Sequence, residues 1–256
     1  ENVHLVHIRS LDFYKPHQIV RLLPKFEQVL DLRKLNSFLF KVNDVTIPLF
    51  RIKPGVKTVI YTADQLMKVE FGKNAVYDTL SLSAGYYSNE ENGIETVYIL
   101  PEQEPLKRGF SISFVLNDSY RYPEKTAFYT YNFRTKRVDF ANSNFENGYL
   151  SANLRDFGFY QILTDTVAPE LSKPRLYRKS GGRWIATLKG SDNLSGINYN
   201  ASRFWVNDEE GILEYDPEED KIVYYHPDFK PNRNNTLRVE IIDNVGNKRT
   251  QEFTVS

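Results

Sequence analysis

The chain has 256 residues, of which 41% are hydrophobic and 26% charged, a balance that fits folded protein rather than a disordered chain. Its 33 Lys and Arg residues offset its 33 Asp and Glu residues, so no basic excess marks it for phosphate backbones and no nucleic-acid partner is expected. No cysteine is present, which removes disulfides, thiolate metal sites and cysteine nucleophiles, and no apolar run approaches the roughly 18 residues that suggest a membrane span.

Phe and Tyr number 17 each, and those rings favour pleated, half-buried surfaces. Strands are therefore expected along most of the chain. The sequence opens at Glu1 and its single Met is Met67, which reads as the start of a processed chain or a fragment, with any targeting segment removed beforehand. Residues 1–37 keep two readings open. Pro24 to Leu35 suits a three-turn helix using Phe26, Val29, Leu30 and Leu35, with Pro24 near its first position; a strand with a loop fits equally. His4 to Asp12 echoes Thr236 to Asp243, since both are alternating strands that run into an Asp-containing turn. The first 37 residues thus read as the tail of a preceding β-domain or a linker.

Residues 38–164 read as an embellished β-sandwich. Phe38 to Val42 and Thr46 to Phe50 are strand-like about an Asn43-Asp44 turn. Val56 to Tyr61, Thr79 to Ser83, Thr96 to Leu100, Phe110 to Val115 and Ala127 to Phe133 continue the pattern, and Val138 to Phe140, Gly148 to Leu154 and Phe157 to Leu163 complete it. That is more strands than a minimal sandwich holds, so two sheets with elaborate loops are expected. Thr164 to Pro169 then leads to a segment starting near Lys173-Pro174, where proline suits a first edge strand.

Residues 165–256 carry the clearest pattern. Trp184, Ala186 and Leu188 alternate, Phe204 to Val206 is a short aromatic strand, and Gly211 to Tyr215 with Lys221 to Tyr225 flank an acidic loop. Leu237, Val239 and Ile241 alternate again, and Phe253 and Val255 close the last strand. Six or seven short strands with turn signals between them predict an immunoglobulin-like sandwich, with Trp184 and Trp205 in its core. The fold class is thus all-β, as tandem β-sandwiches.

Little in the chain points to catalysis. His4 and His7, the one spaced histidine pair, point to opposite faces of a strand; His17 and His226 have no patterned partner. No nucleophile elbow, phosphate-binding loop or dinucleotide fingerprint occurs. Glu90-Glu91, Glu209-Glu210 and Glu218-Glu219 fall in predicted turns and read as solvated tips, although acids from separate loops could in principle pair in a hydrolase. Tyr86-Tyr87, Tyr120-Arg121-Tyr122, Tyr129-Thr130-Tyr131 and Tyr224-Tyr225 raise the alternative of a glycan-binding face, with the reservation that neighbours on a strand face opposite ways.

Gly158 to Pro169 has the form G-x-Y-x-(I/V)-x-x-D-T-x-x-P, Asp192 to Ile197 supplies a D-x-x-S-G-I turn, and Asp243 to Asn247 a D-x-x-G-N turn before the last strand. Upstream, Ala75-Val76-Tyr77-Asp78 and Glu104-Pro105-Leu106 occur in matching order. From about residue 56 onward the chain resembles the C-terminal β-sandwich region of Gram-negative lysostaphin-type zinc metallopeptidases, which cut peptidoglycan cross-links. The family's zinc ligands come from His-x-x-x-Asp and His-x-His segments, and this chain has neither. The resemblance therefore implies a non-catalytic accessory portion, or a relative without the peptidase domain. It also implies an extracytoplasmic place, periplasmic or associated with the outer membrane, with envelope proteins as partners or with peptidoglycan or another glycan as ligand.

The strand order carries one expectation about a site. If Arg183–Gly190, Phe204–Val206, Thr236–Ile242 and Lys248–Val255 are the B, C, F and G strands of an immunoglobulin-like sandwich, the B–C and F–G loops share a pole with the segment that leads into the first strand. Asp165, Asp192 and Asp243 would then converge. Their hard oxygens could hold calcium, with Asn193, Asn244 or backbone carbonyls completing the shell; alternatively each Asp caps its own turn. No other cofactor is expected.

Overall fold

The computed structural model describes residues 13–15, 18–20, 39–42, 45–89, 92–102, 104–178, 184–216, 221–225 and 235–255. Among these the regular structure is strand, and a single 3-10 turn at Pro123–Lys125 is the one helical piece. The chain divides into two compact units, one of residues 1–123 and 127–163, the other of residues 124–126 and 164–256. The alternative helix from Pro24 to Leu35 and all four histidines lie outside the described residues. Two small hairpins, Phe13–Lys15 with Gln18–Val20 and Leu39–Val42 with Val45–Pro48, precede the first sandwich.

The first unit is built on period-2 alternation. Met67, Val69 and Phe71 point inward from one strand, and across the register Phe114 faces Met67 while Ile112 faces Val69. One step further, Leu150 and Ala152 stand opposite Phe114 and Ile112. These strands belong to a five-stranded antiparallel sheet ordered Ser143–Glu146, Tyr149–Leu154, Phe110–Val115, Met67–Phe71, Thr58–Tyr61. A six-stranded sheet faces it, ordered Val138–Phe140, Thr126–Tyr131, Gly158–Thr164, Glu95–Leu100, Leu80–Ser88, Phe50–Ile52. Its inner face contributes Phe128, Tyr160, Ile162, Val97, Ile99, Leu82 and Ala84 to one shared core. Phe71 stacks on Phe110 at 5.0 Å and meets the edge of Phe157 at 6.1 Å. Each such ring, fully buried, stabilises the fold by roughly 1.5–3 kcal/mol.

The second unit is an immunoglobulin-like sandwich. One sheet runs Arg175–Arg178, Trp184–Leu188, Lys221–Tyr225, Ile212–Asp216; the other runs Glu209–Glu210, Arg203–Val206, Asn235–Ile242, Lys248–Val255. A two-residue bridge joins Glu170–Leu171 to Gly190–Ser191. Leu237, Val239 and Ile241 alternate into the core as their pattern predicts, against Ala186, Leu188 and Ile222. Phe204 and Tyr224 stack across the two sheets at 4.1 Å and 15°. Gly211 lies directly beneath that pair, where a Cβ would come within 2.0 Å of the Tyr224 ring. No side chain fits there.

Trp205 does not take the core position expected of it. Its neighbours Phe204 and Val206 take the inward positions, so strand alternation turns the indole outward. There the Arg238 guanidinium lies over it at 4.4 Å. Trp184 is half-buried at the core's margin rather than central. Glu209-Glu210, expected at a turn tip, forms a short edge strand against Val206 and Trp205. No helix among the described residues is long and apolar enough to cross a membrane.

Candidate metal centre

Three loops of the second unit place Asp165, Asp192 and Asp243 together. Asp165 follows the strand Gly158–Thr164, Asp192 follows the bridge at Gly190–Ser191, and Asp243 follows the strand Asn235–Ile242. Each offers a carboxylate oxygen, and those atoms all lie within 4.8 Å of one another. Asp165 and Asp243 are each 1% exposed, while Asp192 is half-buried.

Each aspartate also shapes its own turn by accepting from the amide two residues on. Asp165 Oδ1 accepts from Val167 N at 3.1 Å, Asp192 Oδ2 from Leu194 N at 3.1 Å, and Asp243 Oδ1 from Val245 N at 3.0 Å. Further bonds join the loops. Ser195 N donates to Asp165 Oδ2 at 3.0 Å, while Gly196 N closes its own turn on Asp192 Oδ2 at 2.8 Å. The Asn247 side-chain amide donates both to Asp243 Oδ2, at 2.7 Å, and to the Asp165 carbonyl, at 2.8 Å. Asn244 N donates to the Gly196 carbonyl at 3.0 Å, and Ile197 bridges to Asp243. Gly196 and Gly246 make the turns possible, with φ of 77° and 83° in the left-handed region.

The electrostatics follow from crowding. Burial raises the Asp243 carboxyl above the ordinary aspartate range, the charges of Asp165 and Asp192 add to the rise, and the Asn247 bonds oppose it. Among the described residues none of the three pairs with Lys, Arg or His. Two oxygens here are buried with no hydrogen-bond partner among the described residues, Asp192 Oδ1 and Ser195 Oγ, and Ser195 is 1% exposed. The donor set is hard oxygen throughout, which suits a divalent cation of the calcium or magnesium kind.

Of the proposed shell, Asn244 turns its Nδ2 to the Ser195 and Gly196 carbonyls and so works as a loop tie, and Asn193 is exposed. Ser195 and Asn247 were not singled out by the sequence reading, although both lie inside the two Asp turns. The aromatic stretches divide. Tyr129 and Tyr224 are buried, so they offer no platform to a sugar, whereas Tyr122 is 40% exposed with the Arg121 guanidinium 5.3 Å from its ring.

Residues 56–165 match the family model described as the Zu5-like domain. That match spans less than half of the chain, covers most of the first sandwich and ends at Asp165. No curated protein matches the chain.

Within residues 56–165 two tyrosine–carboxylate pairs stand out. Tyr86 donates to Asp64, in the turn after Thr58–Tyr61, and Tyr120 donates to Glu95 Oε2 at 2.8 Å. Burial first, then the Asp64 bond, pushes the Tyr86 phenol up to about 12. Glu95 is 8% exposed, and burial raises its carboxyl, partly offset by the Tyr120 bond. The folded state therefore binds the Glu95 proton more tightly than the unfolded state does. Stability from this group is fully present below its unfolded pKa and falls as pH rises through the folded one. Glu95→Gln keeps an acceptor for Tyr120 and removes the ionisation. It should raise the denaturation midpoint of the first sandwich at pH 8 and leave it near wild type at pH 4. An equal effect at both pH values would show that Glu95 does not titrate this way.

Proposed function

We propose that this chain is a non-catalytic, extracytoplasmic tandem β-sandwich module that makes protein–protein contacts or holds position in the cell envelope of a Gram-negative bacterium. The observation that carries the proposal is how firmly the segment leading into the C-terminal sandwich is held. Asp165 N donates to the Lys125 carbonyl at 2.9 Å, its carboxylate receives Val167 N and Ser195 N, and its carbonyl receives Asn247 Nδ2. Thr126 and Thr164 hydroxyls bond at 2.8 Å, and Lys125 Nζ donates to the Val245 carbonyl at 3.0 Å. Polar groups are spent on bracing a backbone, which suits a module that must keep its shape in an assembly. The resemblance to the accessory region of lysostaphin-type peptidases supports the envelope setting, and the lack of that family's zinc ligands in the sequence supports a non-catalytic role.

Three measurements on the purified chain test the proposal: affinity capture from an envelope fraction, co-sedimentation with peptidoglycan, and assay of muropeptide release. The expected result is a captured envelope protein whose binding is reproduced with the purified partner, without release of muropeptides. Release of muropeptides would contradict the non-catalytic role. Saturable binding to peptidoglycan with no protein partner would favour the glycan alternative instead.

A further inference from the structure

We infer that Asp165, Asp192 and Asp243, together with the buried Ser195 hydroxyl, form a calcium site that ties three segments of the C-terminal sandwich. The inference stands on this cluster and is independent of the envelope role proposed above.

The charge balance comes first. Three carboxylates share a small, largely buried space, and no cationic side chain among the described residues pairs with them. Their partners are neutral amides, from Val167, Leu194, Ser195, Gly196, Val245 and Asn247. Such donors orient carboxylates and favour their charged form, but they leave the net negative charge in place. Like charges so close in a poorly solvated site repel strongly. A bound divalent cation removes that repulsion.

A second observation is independent of the acids' proximity. Asp192 Oδ1 and Ser195 Oγ are both buried without a hydrogen-bond partner among the described residues. Buried polar atoms in native proteins nearly always have partners, and an unmatched one costs on the order of 1–3 kcal/mol. Asp192 presents its unmatched oxygen from the cluster itself. Ser195 is joined to the cluster by its own amide on Asp165. A cation supplies what both atoms lack.

Spacing and chemistry select the ion. Three oxygens no more than 4.8 Å apart lie within about 2.8 Å of a common point, a small inward shift from calcium–oxygen bonds of roughly 2.3–2.6 Å, whereas magnesium demands about 2.0–2.1 Å in near-ideal octahedral geometry. The amide bonds already fixed on these carboxylates resist that further contraction. One ion would tie together segments far apart in sequence, and because it binds only their folded arrangement it stabilises that state by mass action.

Calorimetric titration of the chelator-stripped full chain with CaCl2, followed by thermal melts, tests the site. The expected result is one calcium per chain and a melting transition of the C-terminal sandwich raised by roughly 10–20 °C at a hundredfold excess over Kd. Asp192→Asn should weaken calcium binding by about tenfold or more, and magnesium should bind more weakly than calcium. Because Asp192→Asn could impair folding, Ser195→Ala, a smaller change, is measured beside it and should also weaken binding, by a lesser factor. No heat and no shift through about 10 mM CaCl2, above the range of weak extracellular calcium modules, would overturn the site. So would calcium binding left intact in both variants, or tighter binding of magnesium.

Discussion

Phe204→Ala should unfold the C-terminal sandwich or come close to it, at a cost of about 3–5 kcal/mol. Phe204 is fully buried, and its ring lies flat against Tyr224 from the opposite sheet. Its removal leaves a cavity between two sheets that cannot close over it, because Gly211 already lets the Tyr224 ring sit hard against the backbone. Trp205→Ala, one residue along, should cost only roughly 1 kcal/mol, mainly the lost contact with the Arg238 guanidinium. Denaturant titration followed by far-ultraviolet circular dichroism gives both values. Equal losses in the two variants would show that the strand is not oriented as described.

Asp243→Ala, in the chain freed of metal, should destabilise the same sandwich by about 2–4 kcal/mol. The carboxylate accepts three bonds, from Val245 N, Asn247 N and Asn247 Nδ2, and alanine leaves all three donors without that acceptor. Relief of repulsion from Asp165 and Asp192 offsets part of the loss. Asp243→Asn retains one acceptor oxygen and sheds the charge, so it should fall between wild type and alanine. A neutral or stabilising Asp243→Ala would mean that repulsion outweighs the turn bonds.

The two substitutions show where sequence was informative. Alternation placed Leu237, Val239 and Ile241 in the core without help, because one face of their strand is buried along its length. The short strand Arg203–Val206 has two large neighbours competing for the inside, and composition favoured the larger ring. Register decided otherwise: Phe204 pairs with Val239 and Trp205 with Arg238. The strand Met67–Phe71 escaped the sequence reading although it alternates cleanly, because its polar positions are the charged Lys68 and Glu70, which pair with each other at 3.0 Å. The approach of the three aspartates followed from strand order alone, since turn chemistry marked each loop and topology supplied the rest. Ser195 and the bridging Asn247 amide could not be read that way. Their importance depends on burial and on bonds across loops distant in sequence.

Amide hydrogen exchange at Val167, Ser195 and Asn247 tests most directly the claim that the lead into the C-terminal sandwich is a fixed brace. All three amides donate to carboxylates of the cluster. They should exchange only with unfolding of the whole sandwich, as slowly as the core amides of Asn235–Ile242, and not by local opening. Exchange at these three positions at the rate of an exposed loop, with the core strands still protected, would contradict the account.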